Sequence, residues 1–381
     1  MLGSMVRRTS VPAWPVRAAL ALLVALLGLG SLGASCAVRG LALMPGVVND
    51  PGNRSLRRAL FGFASSEICP EFLKRNIPLV LRDGDPATGR FFPNSCAVQE
   101  LANGNLFLQF AGRGFAWTNV TGRIGFEASA AVEYGQDFLM DGSTMDVYFR
   151  QKQTQSSDFR VLMVERTAAG AAAAPSQGFA ELLAGSIAAA SQQIGQRILQ
   201  SKIAQGFTVV RDADGTVSFG LGVLEQGQKP AVPFARGEAD RTVLANETTE
   251  IHNGQRDYLG PFTLPSTDQA LFLTAVLEGA PALEVLVVPK AMGDQWLDAY
   301  LRQAAPTALQ APPLSDEALP AAVGVPGQPL PPWRRTLRLP AGQYYVVLDH
   351  TTAAGQTAPP AQTADDRAAA VSYAVQLGDA P

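Results

Sequence analysis

His252 and His350 are the only histidines in this 381-residue sequence. Imidazole is the side chain best suited to moving a proton near neutral pH. A histidine-based hydrolase also needs a Ser or Cys nucleophile and an acid held around it in space. No G-x-S-x-G turn is present; Ala184-Gly185-Ser186-Ile187-Ala188 lies inside a stretch of helical periodicity. His252 sits in Glu250-Ile251-His252-Asn253-Gly254 and His350 in Asp349-His350-Thr351, both at the ends of strand patterns. Solvated surface roles are expected for both, and two isolated histidines do not make a zinc site. Asp212-Ala213-Asp214-Gly215 opens like a calcium loop, but its twelfth position is Val223 where a glutamate would be needed. Asp-Gly favours a hairpin turn instead. The sequence therefore predicts no catalytic residue, no metal site, no cofactor and no enzyme.

The cysteines say more. Cys36, Cys69 and Cys96 are the three in the chain. Ahead of Cys36 stand Arg7, Arg8 and Arg17, then an uncharged apolar run from Ala18 to Leu32, then Gly33-Ala34-Ser35. Basic, apolar, then small residues is the order of a secretory signal. The apolar run is short against the roughly 20 residues that a bilayer span needs, though an uncleaved single anchor is the other reading. With Cys36 lipidated or removed, an even pair is left, and in an oxidising compartment Cys69 and Cys96 are expected to form a disulfide. The alternative is two buried free thiols. The spacing does not suit a metal knuckle.

The stretch Leu32-Gly33-Ala34-Ser35-Cys36 resembles a bacterial lipobox, with Gly33 where that pattern prefers leucine. The resemblance implies that Cys36 is the lipidated first residue of the mature protein. It also implies the outer membrane as destination, because Ala37 and not aspartate follows the cysteine. Ordinary cleavage after Ala37, giving a soluble periplasmic or secreted protein, is the alternative. Removing the three arginines of the signal from a net charge of −3 leaves −6. A mildly acidic chain with no Lys/Arg block has no electrostatic footprint for nucleic acid.

The elements that position these residues divide the chain into four parts. Residues 1–35 are the signal. Residues 36–100 read as irregular, rich in turn chemistry such as Asn49-Asp50-Pro51-Gly52 and Phe92-Pro93-Asn94, and pinned by the disulfide. Residues 101–235 read as an α+β domain, an antiparallel sheet packed on one long amphipathic helix, 177–205. Its strands are Leu106–Trp117, alternating Arg123–Tyr134, Met145–Phe149 and Phe159–Val164, with Lys152–Asp158 as a polar turn. A hairpin about Asp214-Gly215 follows. Phe179, Leu183, Ile187, Ala190, Ile194 and Ile198 recur at helical spacing as one apolar stripe. The stripe serves a packed core, or, with Ala184, Gly185, Ala188 and Gly195 leaving room, it lines a pocket for a hydrophobic ligand.

Residues 237–381 read as a β-sandwich, with a helix near Met292–Gln303 and a Pro-rich exposed insert at 304–332. Leu339-Pro340-Ala341-Gly342-Gln343-Tyr344-Tyr345-Val346-Val347-Leu348-Asp349 resembles the "L-x-A-G-x-Y-x-V-x-V" strand of bacterial pre-peptidase C-terminal and GOLD-type β-sandwiches. Ala270–Val276, Leu283–Val287 and Ser372–Leu377 fall where that family has its other core strands. The resemblance covers about residues 240 to 378 and implies an accessory module. A mainly β, α+β fold is thus expected. The expected role is that of a non-enzymatic envelope lipoprotein, structural or protein-binding. Its expected partners are the membrane, through a lipid anchor, and other envelope proteins. The alternative is a carrier of a lipid or other hydrophobic small molecule in the 101–235 domain.

Overall fold

The computed structural model describes residues 68–74, 76–80, 84–118, 121–142, 144–165, 195–212, 217–223, 231–235, 240–324, 327–355 and 368–381, with isolated positions between 46 and 193. Fifteen strands form three antiparallel sheets. The first is a seven-stranded meander in which every strand pairs with its sequence neighbour. Its strands are β1 (Ile77–Pro78), β2 (Gly89–Glu100), β3 (Leu106–Thr118), β4 (Gly122–Asp141), β5 (Thr144–Val164), β6 (Phe207–Arg211) and β7 (Val217–Leu221). Consecutive antiparallel strands need only short turns, and Asp141-Gly142 closes the longest hairpin, β4–β5.

Several expectations change here. The segment before residue 100 is not wholly irregular, because β2 runs the full length of β3. Pro93 hid it. A bulge between Pro93 and Ser95 absorbs the proline, which donates nothing to the ladder. Lys152–Asp158 is not a turn; β5 continues through it, with Gln153 to Asp158 in register against Ser129–Glu133. Its side chains are polar and all exposed or half-buried, so no apolar period marks the strand.

Residues 68–74 form helix α1 and residues 195–205 form helix α2. The Cys69–Cys96 disulfide joins α1 to β2, with its Cα atoms 5.4 Å apart. A hydrophobic cluster gathers Leu106, Val132, Val147, Phe149, Ile203 and Phe207 beneath them. Of the helix expected over 177–205, only this last part lies within the described residues as a continuous run. Phe179, Leu183, Ile187 and Ile194 lie outside them. Ile198 is 39% exposed, so it does not line an interior. The buried face of α2 carries Gly195, Leu199 and Ile203, one residue out of phase with the expected stripe, a turn of about 100°. Nor does Gly195 leave an opening: a Cβ there would lie 2.1 Å from the ring of Phe159. The aromatic ring occupies that space, as close packing requires.

The remaining eight strands make two four-stranded sheets. One has the order β13-β10-β15-β8 and the other β12-β11-β14-β9. These are β8 (Thr242–Ile251), β9 (Gln255–Leu264), β10 (Gln269–Glu278), β11 (Ala282–Pro289), β12 (Ser315–Pro320), β13 (Trp333–Leu337), β14 (Gly342–His350) and β15 (Ala369–Asp379). Their inner faces share one core, including Leu271, Leu273, Val285, Val346, Leu348 and Val371, so the pair is a sandwich. β12 arises inside the Pro-rich insert, where only a loop was expected. It is a short edge strand that pairs with β11 alone. Proline is tolerated at such an edge. Helix α3 (Lys290–Arg302) follows β11 and buries Gly293, Trp296, Leu297, Tyr300 and Leu301, a single face at spacings of three and one.

Thiol labelling of the native protein is expected to leave Cys69 and Cys96 unreacted until reductant is added. Opening this 27-residue loop by a Cys69→Ser/Cys96→Ser exchange is expected to cost about 3.5 kcal/mol in urea unfolding.

Candidate functional site

The largest concentration of buried charge lies where the meander meets the sandwich. Arg90 leaves β2 and points into the sandwich. Its Nε and Nη2 donate to the two carboxylate oxygens of Asp257 on β9, at 2.6 and 2.8 Å. Its Nη1 donates to Asn76 Oδ1 at 2.8 Å and to Glu247 Oε2 on β8 at 3.0 Å. Nη2 also donates to the Tyr373 hydroxyl on β15 at 2.6 Å, and that hydroxyl donates on to Glu247 at 2.6 Å. Only the planar fork of a guanidinium serves so many acceptors at once. Burial opposes the charge on Arg90, but Asp257, Tyr373 and Glu247 outweigh it and hold the pKa well above its ordinary value. Burial likewise raises the Tyr373 hydroxyl, which keeps its proton and remains a donor. Beside this node the backbone itself crosses over: the Ala87 N–H donates to Thr248 O at 2.8 Å and the Glu250 N–H to Ala87 O at 2.9 Å. This covers part of the β8 edge.

Two more buried arginines lie nearby, Arg256 within the sandwich and Arg123 across the seam. Arg256 on β9 forms a fully buried ion pair with its cross-strand neighbour Asp349 on β14. It donates to Thr351 Oγ1 at 3.2 Å and lies 4.1 Å from the ring centroid of Trp296. Arg123, from β4 of the meander, reaches across to the end of α3. Its guanidinium donates to the carbonyls of Tyr300, Gln303 and Ala304 at 2.5, 2.9 and 2.8 Å. The Tyr300 carbonyl is in the last turn of α3, at the negative end of the helix, and needs a donor from outside it; the other two follow that end. Gly125 makes the approach feasible, since a Cβ there would fall 1.9 Å from the Leu301 carbonyl oxygen. Between the arginines, Phe92 and Phe115 of the meander pack with Tyr258, Trp296, Tyr300 and Tyr345 of the sandwich.

Both histidines end up in this region, and neither is on the surface. His252 is 5% exposed and stacks on Trp117 of β3, with ring centroids 3.3 Å apart. His350 is 3% exposed, and its carbonyl accepts from the Gly254 N–H at 2.8 Å. The expectation of solvated strand ends fails for both, and His252 is covered by Trp117 of the meander. The carboxylate of Asp349, next in sequence to His350, is committed to Arg256.

A second ionisable group of note lies at the far side of the same sheet. Asp316 on β12 is held up to about pKa 6, first by a hydrogen bond with Glu284 on β11, then by burial and by the charge of Glu284. Glu284 is itself buried and stands opposite Asp349. Among the described residues no group of three or more His, Cys, Asp or Glu can hold a metal ion. None of their helices is long and apolar enough to cross a membrane. Cys36 lies outside the described residues. Cys69 and Cys96 are joined as expected from their pairing.

What this arrangement does chemically is hold two sheet systems in one orientation. The three buried arginines are met by carboxylates, hydroxyls, carbonyls and rings rather than by open space. Reasoning on the sequence did not single out Arg90, Arg123 or Arg256, because their partners lie as far as 283 residues away. A local sign exists: Gly89-Arg90-Phe91-Phe92 and Arg123-Ile124-Gly125-Phe126 set an arginine among residues that belong in a core. No protein-family model matches the chain, and no curated protein matches it.

Removing Arg90 strands Asp257 and Glu247 without their cation. Arg90→Ala is expected to cost about 3–5 kcal/mol in urea unfolding. Arg90→Lys is expected to recover little of that, because a point charge cannot fork to Asp257.

Asp316 gives a pH signature. A carboxyl raised from 3.8 to about 6 on folding contributes stability that is complete below pH 4 and is lost as pH rises through 6. Asp316→Asn is therefore expected to flatten the fall in melting temperature between pH 4 and 6. An unchanged slope in the variant would refute the assignment.

Proposed function

We propose that this chain is a non-enzymatic lipoprotein of the bacterial cell envelope with a structural or protein-interaction role. The observation that carries the proposal is the order of arginines, apolar run and small residues that ends at Cys36. The Cys69–Cys96 disulfide supports it, since such bonds form and persist in oxidising compartments. Ala37 after the cysteine favours the outer membrane, with the protein facing the periplasm or the cell surface.

The likeness of residues 240 to 378 to pre-peptidase C-terminal and GOLD-type modules supports an accessory, binding role. Two facing four-stranded sheets agree with it. The non-enzymatic part rests on the buried Arg90 and Arg256, whose charges are met by carboxylates inside the fold. The filled space beside Gly195 weighs against the alternative of a hydrophobic-ligand carrier.

The test is an intact mass of the membrane-extracted protein. The expected result is a chain that begins at Cys36 and carries a diacyl or triacyl addition, with Cys36→Ser shifting the protein out of the membrane fraction. An unmodified chain that begins at Val38, after cleavage at Ala37, would overturn it.

A further inference from the structure

The place where Asn49 is fixed to the fold, taken with the length of chain between it and Cys36, limits where an anchor on Cys36 can sit. Asn49 uses its carboxamide as a strand uses a peptide group. Its Nδ2 donates to Met140 O at 2.9 Å, and its Oδ1 accepts from the Met140 N–H at 2.8 Å. Met140 pairs with Met145 and Asp141 with Thr144, the last rungs of the β4–β5 hairpin. The chain is thus clamped to the hairpin end of the meander. The sandwich is held at the opposite end of the same strand. There Arg123 caps α3, and Gly125 lies against the Leu301 carbonyl.

Two lengths then matter. Arg123 and Met140 are 17 positions apart on β4. At the rise of a β-strand that is about 55 Å. Cys36 and Asn49 are 13 positions apart. Fully extended, that stretch spans at most about 45 Å. A lipid on Cys36, with Asn49 clamped at the hairpin, therefore falls short of the sandwich end of β4.

We infer that the β4–β5 hairpin end faces the bilayer holding the anchor, and that the sandwich projects away from it. This rests on the lipoprotein reading. The chemistry of the hairpin end sets the kind of contact. Its exposed residues include Asp137, Asp141 and Gly142, and none of the exposed large apolar residues among those described lies there. Such an end stands over lipid headgroups and does not insert among acyl chains. The sandwich, by contrast, carries Leu314 at 50% and Val323 at 85% exposure on either side of edge strand β12.

Energy transfer decides the orientation. The acylated protein is reconstituted into phosphatidylcholine vesicles containing a rhodamine-headgroup acceptor. A donor dye is placed on Asp141→Cys at the hairpin or on Val323→Cys on the sandwich, without reductant so that the native disulfide stays closed. Asp137→Cys and Leu314→Cys serve at the same two ends if either variant does not fold. Transfer is expected to be several-fold more efficient from the hairpin position. Equal transfer, or more from the sandwich, in a sample whose intact mass includes the acyl group overturns the orientation alone. A sample without the acyl group overturns the lipoprotein reading and the orientation with it.

Discussion

A guanidinium cannot be taken out of water alone, and this fold is arranged around that fact. The desolvation of Arg90 is offset only if Asp257, Glu247 and Tyr373 arrive together with Asn76. Those partners sit on three strands of the sandwich and on the approach to β1. One side chain of the meander therefore fixes the position of both sandwich sheets, since β9 belongs to one and β8 and β15 to the other. Arg123 repeats the device at the end of α3, where it supplies a donor to the Tyr300 carbonyl that the helix lacks. The aromatic contact between Phe92, Phe115, Tyr258 and Tyr300 then packs at a distance already set by the charges.

Apolar packing alone would not give this precision. Hydrophobic contact is non-directional and tolerates sliding. A forked ion pair and a capped helix end do not slide, because a shift of one residue breaks every bond at once. The meander and sandwich thus behave as one body, although either sheet system has a core of its own.

Much of the fold was legible in the sequence, and the misses share a cause. The sandwich strands and α3 emerged close to their observed bounds because each has an inward face of aliphatic residues, as in Leu283, Val285 and Val287. β2, the middle of β5 and β12 did not. β2 carries Pro93 at a bulge, β5 carries polar side chains along Lys152–Asp158, and β12 is an edge bracketed by prolines. Period-two reading detects burial on one face, and these stretches have little of it. The phase of α2 was misread by one residue because Gly195, not a large apolar side chain, occupies its buried face against Phe159. The seam was the least legible part. Lone arginines carry no motif, and spacing within the chain does not encode partners that only tertiary structure brings near. The disulfide was legible because setting Cys36 aside leaves two cysteines with one possible pairing.

The plain order of the meander has a temporal side. A polypeptide is made from its N-terminus, and neighbour-to-neighbour pairing lets β1 to β7 assemble as each strand appears. Arg90 is present from the start of that assembly, yet Tyr373, the last of its partners, comes 283 residues later. Until β15 is complete, the network around Arg90 lacks the hydroxyl that links its guanidinium to Glu247. A chain cut short before that strand therefore leaves this junction with an acceptor missing on an otherwise finished sheet.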